Sequence, residues 1–308
     1  MEVFVTGATG VLGRPVVRLL AAGHRVRAQA RNAKKDDLLR AMGAEPVRAD
    51  LFDAASLREA VAGCDAVLHL ATKIPATRTA TRRGAWDENT RIRTEGTRNL
   101  VDAALAAAVR TLVYPGVCFV LEDGGSEWID SSTAGVDAGP LLAPSLAAEG
   151  EVERFTRSGG RGISLRMGYF YGPEAGSAHD VLALARLGLG MMVGRAGAYF
   201  PSIWVDDAAA AEVAALERAP SGVYDVVDDE PLTRRDLAKA VARAAGRPFL
   251  LRLPVWMLRL TAGPDALFLA RSQRVSNRGF KEATGWEPAV HDAREGWRRI
   301  AASASPPS

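Results

Sequence analysis

The amino-acid sequence predicts an α/β fold: a doubly wound parallel sheet carrying a smaller, mostly helical lobe. Three observations predict it. Short apolar runs alternate with helical patterns through the first half of the chain. The first of these runs feeds directly into glycines spaced as Gly7, Gly10 and Gly13. After Tyr171-Gly172-Pro173 the texture changes, and Leu-rich helical stretches take over.

The run Val3-Phe4-Val5 has the β-rich, apolar character of a parallel strand buried on both faces. The glycine spacing that follows lets backbone approach a pyrophosphate and lets a helix pack closely on the sheet. From Val11 the pattern is helical, with Val11, Leu12, Val16, Leu19 and Leu20 on one face and Pro15 near the first turn. A helix starting there points free N–H groups and about half a unit of positive charge at a phosphate. Gly7, Thr9, Gly10, Val11 and Leu12 are therefore the expected cradle of a dinucleotide in a Rossmann sheet. An ordinary tight turn is the plainer alternative, and the strand before and helix after weigh against it.

Further strands are expected at 25–30, 46–48, 66–70, 111–114 and 163–166, with helices near 34–42, 56–62, 88–108 and 145–157. Residues 1–166 read as the nucleotide-binding domain. Residues 167–308 read mainly as a substrate lobe, with 203–206 and 223–227 returning to the sheet. The polar span 119–140 has the length of a lid or binding loop. Residues 178–193, followed by Gly194 and Gly197, fit either a lid helix or a plain helix of the lobe. Trp256, Met257 and Phe268 either close a pocket or pack that lobe.

Composition excludes several classes. The 308 residues are 48% hydrophobic, enough for one large core or a core plus a small lobe, and a net charge of +3 indicates no nucleic-acid partner. Cys64 and Cys118 supply no disulfide framework and no zinc spacing, and read as buried small apolar residues. The apolar stretches 181–193 and 249–270 are broken by Arg186, Arg252, Arg259 and Asp265, so no membrane partner is expected. The first strand begins almost at the initiator methionine, which predicts a cytoplasmic protein without a secretory leader. Nothing in the pattern specifies an oligomeric state.

The second strand, Arg25 to Ala30, ends without the acid that would accept a ribose 2′-hydroxyl. Arg31, Lys34 and Lys35 follow, and cations there suit a 2′-phosphate. NADP(H) is the expected cofactor and NAD(H) the alternative; a solvated basic turn is the reading without a ligand. Asp50 and Leu51 are placed to meet the adenine, although Asp50 could instead cap the next helix. Leu70, Ala71 and Thr72 would line the ribose and nicotinamide side. His69 reads as a packed strand histidine.

Taken in order, these residues resemble the extended, epimerase-like branch of the short-chain dehydrogenase/reductases over nearly the whole chain. The resemblance rests on Thr6-Gly-Ala-Thr-Gly-Val-Leu-Gly13, Asp50-Leu51, His69-Leu-Ala71, Glu95-Gly-Thr-Arg-Asn-Leu100, Leu165-Arg166 and Tyr171-Gly-Pro173. Trp204-Val-Asp-Asp207, Gly222-Val-Tyr-Asp-Val226, Gly285-Trp-Glu-Pro288 and Arg294-Glu-Gly296 extend it. It implies a catalytic tetrad of Asn, Ser or Thr, and the Tyr and Lys of a YxxxK helix. Here those positions match Arg93, Gly116/Val117, Leu142 and Leu146, so the implied proton donor is absent.

Three readings follow. The first is an NADPH-dependent ketoreductase acting on a polycyclic aromatic ketone or quinone, with the substrate supplying its own proton. Among family members lacking the tetrad, it resembles aromatic-polyketide (angucyclinone) tailoring ketoreductases, which implies antibiotic biosynthesis. Val117, Leu142, Leu146, Met167 and Tyr169 would then line a roomy apolar pocket. The second reading is a non-catalytic NADP(H)-binding redox sensor that reports to a partner. The third is an enzyme with a substitute acid from Tyr114, Tyr169, Tyr171, Ser131, Ser132 or Thr133, with Tyr169 the best placed.

Overall fold

The structure is a computed structural model that describes residues 1–75, 79–80, 82, 84–190, 193–252 and 264–303. Trp256, Met257 and the end of the 178–193 stretch lie outside the described residues. The first half runs β1 (Glu2–Thr6), α1 (Gly13–Ala21), β2 (Arg25–Ala30), α2 (Asp36–Ala41), β3 (Ala44–Arg48), α3 (Ala54–Val61) and β4 (Ala66–His69). It continues with α4 (Asp87–Arg91), a π-helical turn (Ile92–Gly96), α5 (Thr97–Ala106), β5 (Thr111–Val117), β6 (Trp128–Ile129), α6 (Gly139–Arg157) and β7 (Arg161–Met167). The second half contributes β8 (Tyr169–Tyr171), α7 (Gly176–Arg186), β9 (Leu189–Gly190), β10 (Tyr199–Phe200), β11 (Ser202–Trp204) and α8 (Val205–Arg218). After these come β12 (Gly222–Val226), β13 (Leu232–Thr233) and α9 (Arg234–Ala244).

Seven strands form one parallel sheet in the order β12-β7-β5-β4-β1-β2-β3. The order reverses between β1 and β4, and a crevice opens beyond the carboxyl ends of the strands at such a reversal. Val3, Phe4 and Val5 of β1 are sealed from solvent, as a central strand covered on both faces must be. On one face α1 presents Val16, Val17 and Leu20 to the alanine-rich side of α8. Val11 and Leu19, expected on that stripe, are exposed instead. On the other face α3, α5 and α6 bury Leu57, Leu100, Val101, Val152 and Phe155 against Phe4, Val67 and Leu112.

The chain beyond residue 167 serves two bodies of packing. Ile203, α8, Val226, Phe280 and Trp286 belong to the sheet's own core. Phe119, Tyr171, Phe200, Trp204, Leu237 and Trp297 build the separate cluster of the helical lobe. Residues 223–227 do return to the sheet, where β12 pairs with β7. Residues 203–206 do not: β11 pairs with β8 in a two-stranded satellite, and α8 begins at Val205.

Two expectations of local structure are corrected. Helix α6 begins at Gly139 rather than near 145, because Pro140 is accommodated in its first turn. The span 119–140 is a strap, with its backbone tied across the molecule. Arg271 donates to the carbonyls of Phe119, Leu121 and Asp137. Gln273 donates to the Leu121 carbonyl at 2.6 Å, and β6 pairs with residues 274–275. Among the described residues no helix is long and apolar enough to cross a membrane, and no acid, histidine or cysteine cluster could hold a metal.

Candidate active site

The glycine turn sits at the sheet reversal, and each glycine answers to a different neighbour. Gly7 adopts φ +67°, and a β-carbon there would lie 2.6 Å from backbone atoms of Leu70 and Ala71. A β-carbon on Gly13 would lie 2.2 Å from the Gly7 carbonyl oxygen. Gly10 is less crowded: its β-carbon would meet one atom, the Gly7 carbonyl oxygen, in a tight contact of 3.2 Å. Bareness at Gly10 thus serves the space above the turn, and the turn opens into α1. This cradle fits a pyrophosphate.

Behind the turn, Thr6 Oγ1 accepts from Ala71 N at 3.3 Å and meets His69 Nδ1 at 2.8 Å. His69 Nε2 meets Thr97 Oγ1 at 3.0 Å, so the ring braces β1, β4 and α5. Burial, with the Arg93 charge adding to it, depresses His69 to about 3 and keeps it neutral. It remains a structural histidine.

At the other end of the crevice, Lys35 Nζ donates to Thr9 Oγ1 at 3.0 Å, above the turn. Arg31 is exposed, 4.0 Å from Glu88. Asp36 faces Arg48 through two hydrogen bonds of 2.6 and 2.8 Å, and these hold its carboxyl below the usual range. That acid is committed within the protein. Asp50 is not the cap of α3: Asp53 is, accepting from Ala55 N at 2.9 Å. Asp50 Oδ1 instead accepts from Phe52 N at 3.0 Å, and the residue stays exposed at the crevice. Leu51 is buried against Gly96, Leu70 is buried, and Thr72 is exposed.

The replaced positions have their own packing logic. A β-carbon on Gly116 would stand 2.7 Å from Glu149 Oε1. Glu149 pairs with Arg166 at 2.8 Å, both side chains 8% exposed, and Arg166 also donates to Ser131 Oγ at 3.3 Å. A serine at 116 would push into that buried pair. Arg93, on the π-helical turn, donates to the hydroxyls of Tyr114 and Ser145. Sequence reasoning missed this grouping. Arg93 has no acid three or four residues away on its helix, whereas Arg91 has Glu95. That absence was the available signal.

Val117, Leu142 and Tyr169 converge on the lobe's aromatic cluster beside Phe119, Phe200 and Phe268. Leu146 is half-buried and does not join that cluster. Met167 points the other way, because alternation along β7 puts it with Ile163 and Leu165 in the sheet core. Behind Tyr169 the lobe is tightly packed. The void bounded by Tyr169, Phe200, Leu237 and Trp297 is about 10 Å³, room for one water at most. A cavity of about 510 Å³ lies instead over the loop after β4, between Lys73, Pro75, Arg82 and Glu88.

Most of the alternative acids are committed. Tyr171 donates to Asp228 at 3.0 Å and is sealed. The hydroxyls of Ser132 and Thr133 donate to Asp130, and Ser131 N donates to Asp225. Tyr114 is 1% exposed. Tyr169 is half-buried at the cluster's edge, and burial raises its phenol.

Residues 3–227 match the model of the NAD dependent epimerase/dehydratase family. The chain belongs to that family. A 3-diazoavenalumate denitrifying reductase from a Streptomyces species is 35% identical over 97% of this chain and all of its own length. A 2-alkyl-3-oxoalkanoate reductase from Shewanella oneidensis is 29% identical, with 84% of this chain and 70% of that protein covered. The human epimerase family protein SDR39U1, solved with NADPH, superposes with a TM-score of 0.80 at 24% identity, over 98% of this chain and 99% of that one. Membership of the epimerase/dehydratase family and these reductase relatives make the protein an oxidoreductase of the extended short-chain dehydrogenase/reductase branch, with a nicotinamide cofactor and a small-molecule substrate.

Proposed function

We propose that the protein is an NADPH-dependent reductase whose aromatic acceptor needs no proton from a protein tyrosine. One observation carries this reading. The glycine cradle is intact, while Arg93, Gly116, Val117, Leu142 and Leu146 stand where the family's proton-transfer residues would be. Gly7, Thr9, Gly10, Val11 and Leu12 would hold the pyrophosphate, with Asp50 and Leu51 at the adenine and Leu70, Ala71 and Thr72 along the ribose. Arg31 and Lys35 would take the 2′-phosphate, since no acid ends β2 and Asp36, which opens α2, is bound to Arg48.

When bound, the cofactor supplies hydride. The chain's own residues would position the acceptor and exclude water. In a polycyclic aryl ketone, of the kind found in aromatic polyketides, hydride at the carbonyl carbon would leave an alkoxide on a tetrahedral carbon. A neighbouring phenol of the same molecule would pass that alkoxide its proton, the charge left on the phenolate would spread into the ring, and the product would be the alcohol with no protein group changing its protonation. In a quinone the charge would spread into the ring directly and the product would be the hydroquinone. The diazo-reducing relative supports a second acceptor class. Hydride delivered to an aryl diazonium yields an arene C–H bond and N₂, and no alkoxide forms.

The test is an NADPH-oxidation screen against quinones, hydroxylated aryl ketones and aryl diazonium compounds, repeated with NADH. A Gly10→Val variant, whose folding is checked by its thermal melt, serves as the cofactor-free control. We expect turnover that is faster with NADPH and absent in the variant. Cofactor binding without turnover on any acceptor would overturn the reading in favour of a redox sensor. A preference for NADH would overturn the assignment of Arg31 and Lys35.

A further inference from the structure

Arg93 is 6% exposed, and among the described residues no carboxylate forms an ion pair with it. Its Nη1 donates to two neutral hydroxyls, Tyr114 Oη and Ser145 Oγ, the latter at 3.1 Å. Arg166, buried to a similar degree, has Glu149 at 2.8 Å. A guanidinium removed from water without a counter-ion costs several kcal/mol, so Arg93 is a standing positive charge awaiting an anion. Among the described residues nothing accepts from its Nε or Nη2, and neither atom is fully sealed, in contrast to Arg274 Nε.

Local architecture explains how the charge came to lie there. The π-helical turn Ile92–Gly96 rotates Arg93 inward between β5 and α6, while Arg91, two residues earlier, turns outward to Glu95 and over the Phe52 ring. Such turns recur at functional sites. Ser145 lies one helical turn beyond Leu142, on the same side of α6. Tyr114 belongs to the core between the sheet and α3, α5 and α6, on the opposite side of β5 from Val117. The link to the proposed acceptor runs through Ser145, which sets the guanidinium one turn of α6 from Leu142.

We infer that Arg93 is an anion seat for the substrate, selecting aromatic acceptors that carry an ionised oxygen acid such as a carboxylate. This deepens the proposed function and rests on it for the aromatic character of the ligand. The seat recognises charge on the bound molecule and needs no step of catalysis.

The test is calorimetric binding of naphthoate and of its neutral isostere naphthamide to the NADP⁺-saturated protein. Wild type should prefer naphthoate by about ten- to a hundredfold, the range of a charge-assisted hydrogen-bonded contact. Arg93→Met should bind the two ligands equally, and Arg93→Lys should retain part of the preference. NADP⁺ affinity should hold within about twofold of wild type in each variant. Arg93→Gln, close in shape, replaces the Met variant if that protein fails to melt cooperatively. Equal binding of both ligands by wild type would overturn the seat, as would a preference surviving in Met or Gln. A NADP⁺ affinity loss of about tenfold or more would assign the charge to the cofactor instead. Because the readout is binding, a naphthoate preference without turnover would refute the reductase and keep the seat. Turnover without the preference would refute the seat alone.

Discussion

Glu149 shows how one side chain can decide which residue another position accepts. Its carboxylate bridges α6 to Arg166 on β7, and its Oε1 fills the space that any β-carbon at 116 would take. Truncating it to alanine would leave Arg166 buried and unpaired, at a cost of about 3–5 kcal/mol in a urea melt. Glu153→Ala, which removes an exposed pair 3.9 Å from Arg157 on the same helix, should change stability by less than about 1 kcal/mol. Equal, small effects would show that water reaches the Arg166 pair. At this scale the sequence was readable wherever backbone chemistry dictates residue type, as at Gly7 and Gly13. It was unreadable at Arg93 and Met167, because one-dimensional spacing does not say which face of a turn or strand a side chain takes.

Among the elements, α8 carries the clearest electrostatic anomaly. Glu212 is fully buried in a helix otherwise lined with alanines, neither carboxylate oxygen has a hydrogen-bond partner, and burial pushes its pKa up to about 8. An acid whose folded pKa lies above its unfolded value binds its proton more tightly in the native state. Its destabilising effect is therefore absent below about pH 4.5, grows as pH rises, and is complete above about pH 8. Glu212→Gln should raise the melting temperature at about pH 9 and lose that advantage toward about pH 4.5. No gain at about pH 9 would mean that water or a partner reaches Glu212. The alternation of β1 to β5 with their helices was legible because period and turn chemistry agree there. The strap at 119–140 was not: Arg271 and Gln273, more than a hundred residues away, hold it, and local polarity says only that it is a loop. The β11–β8 pairing failed for the same reason, since a short apolar run does not name its partner strand.

For the molecule as a whole, the sheet and the lobe contribute different things. The reversal between β1 and β4 creates the crevice, and the glycine turn, readable from its spacing, lies at that reversal. The lobe packs Val117, Leu142 and Tyr169 against aromatic rings, with Tyr169 and Phe200 5.6 Å apart between ring centres. What the sequence announced as missing, the tyrosine and lysine, leaves apolar contact at Leu142 and a half-buried leucine at 146. The central claim is that the proton completing reduction belongs to the substrate. It is tested most directly by comparing kcat, at saturating NADPH and acceptor, for an aryl ketone bearing a phenol beside the carbonyl and for its methyl ether. Removing a positioned general acid should lower kcat by about 10²–10⁴ for the ether, with little change in KM. Equal kcat values for ketone and ether would contradict the account and return the proton to a protein group, Tyr169 first among them.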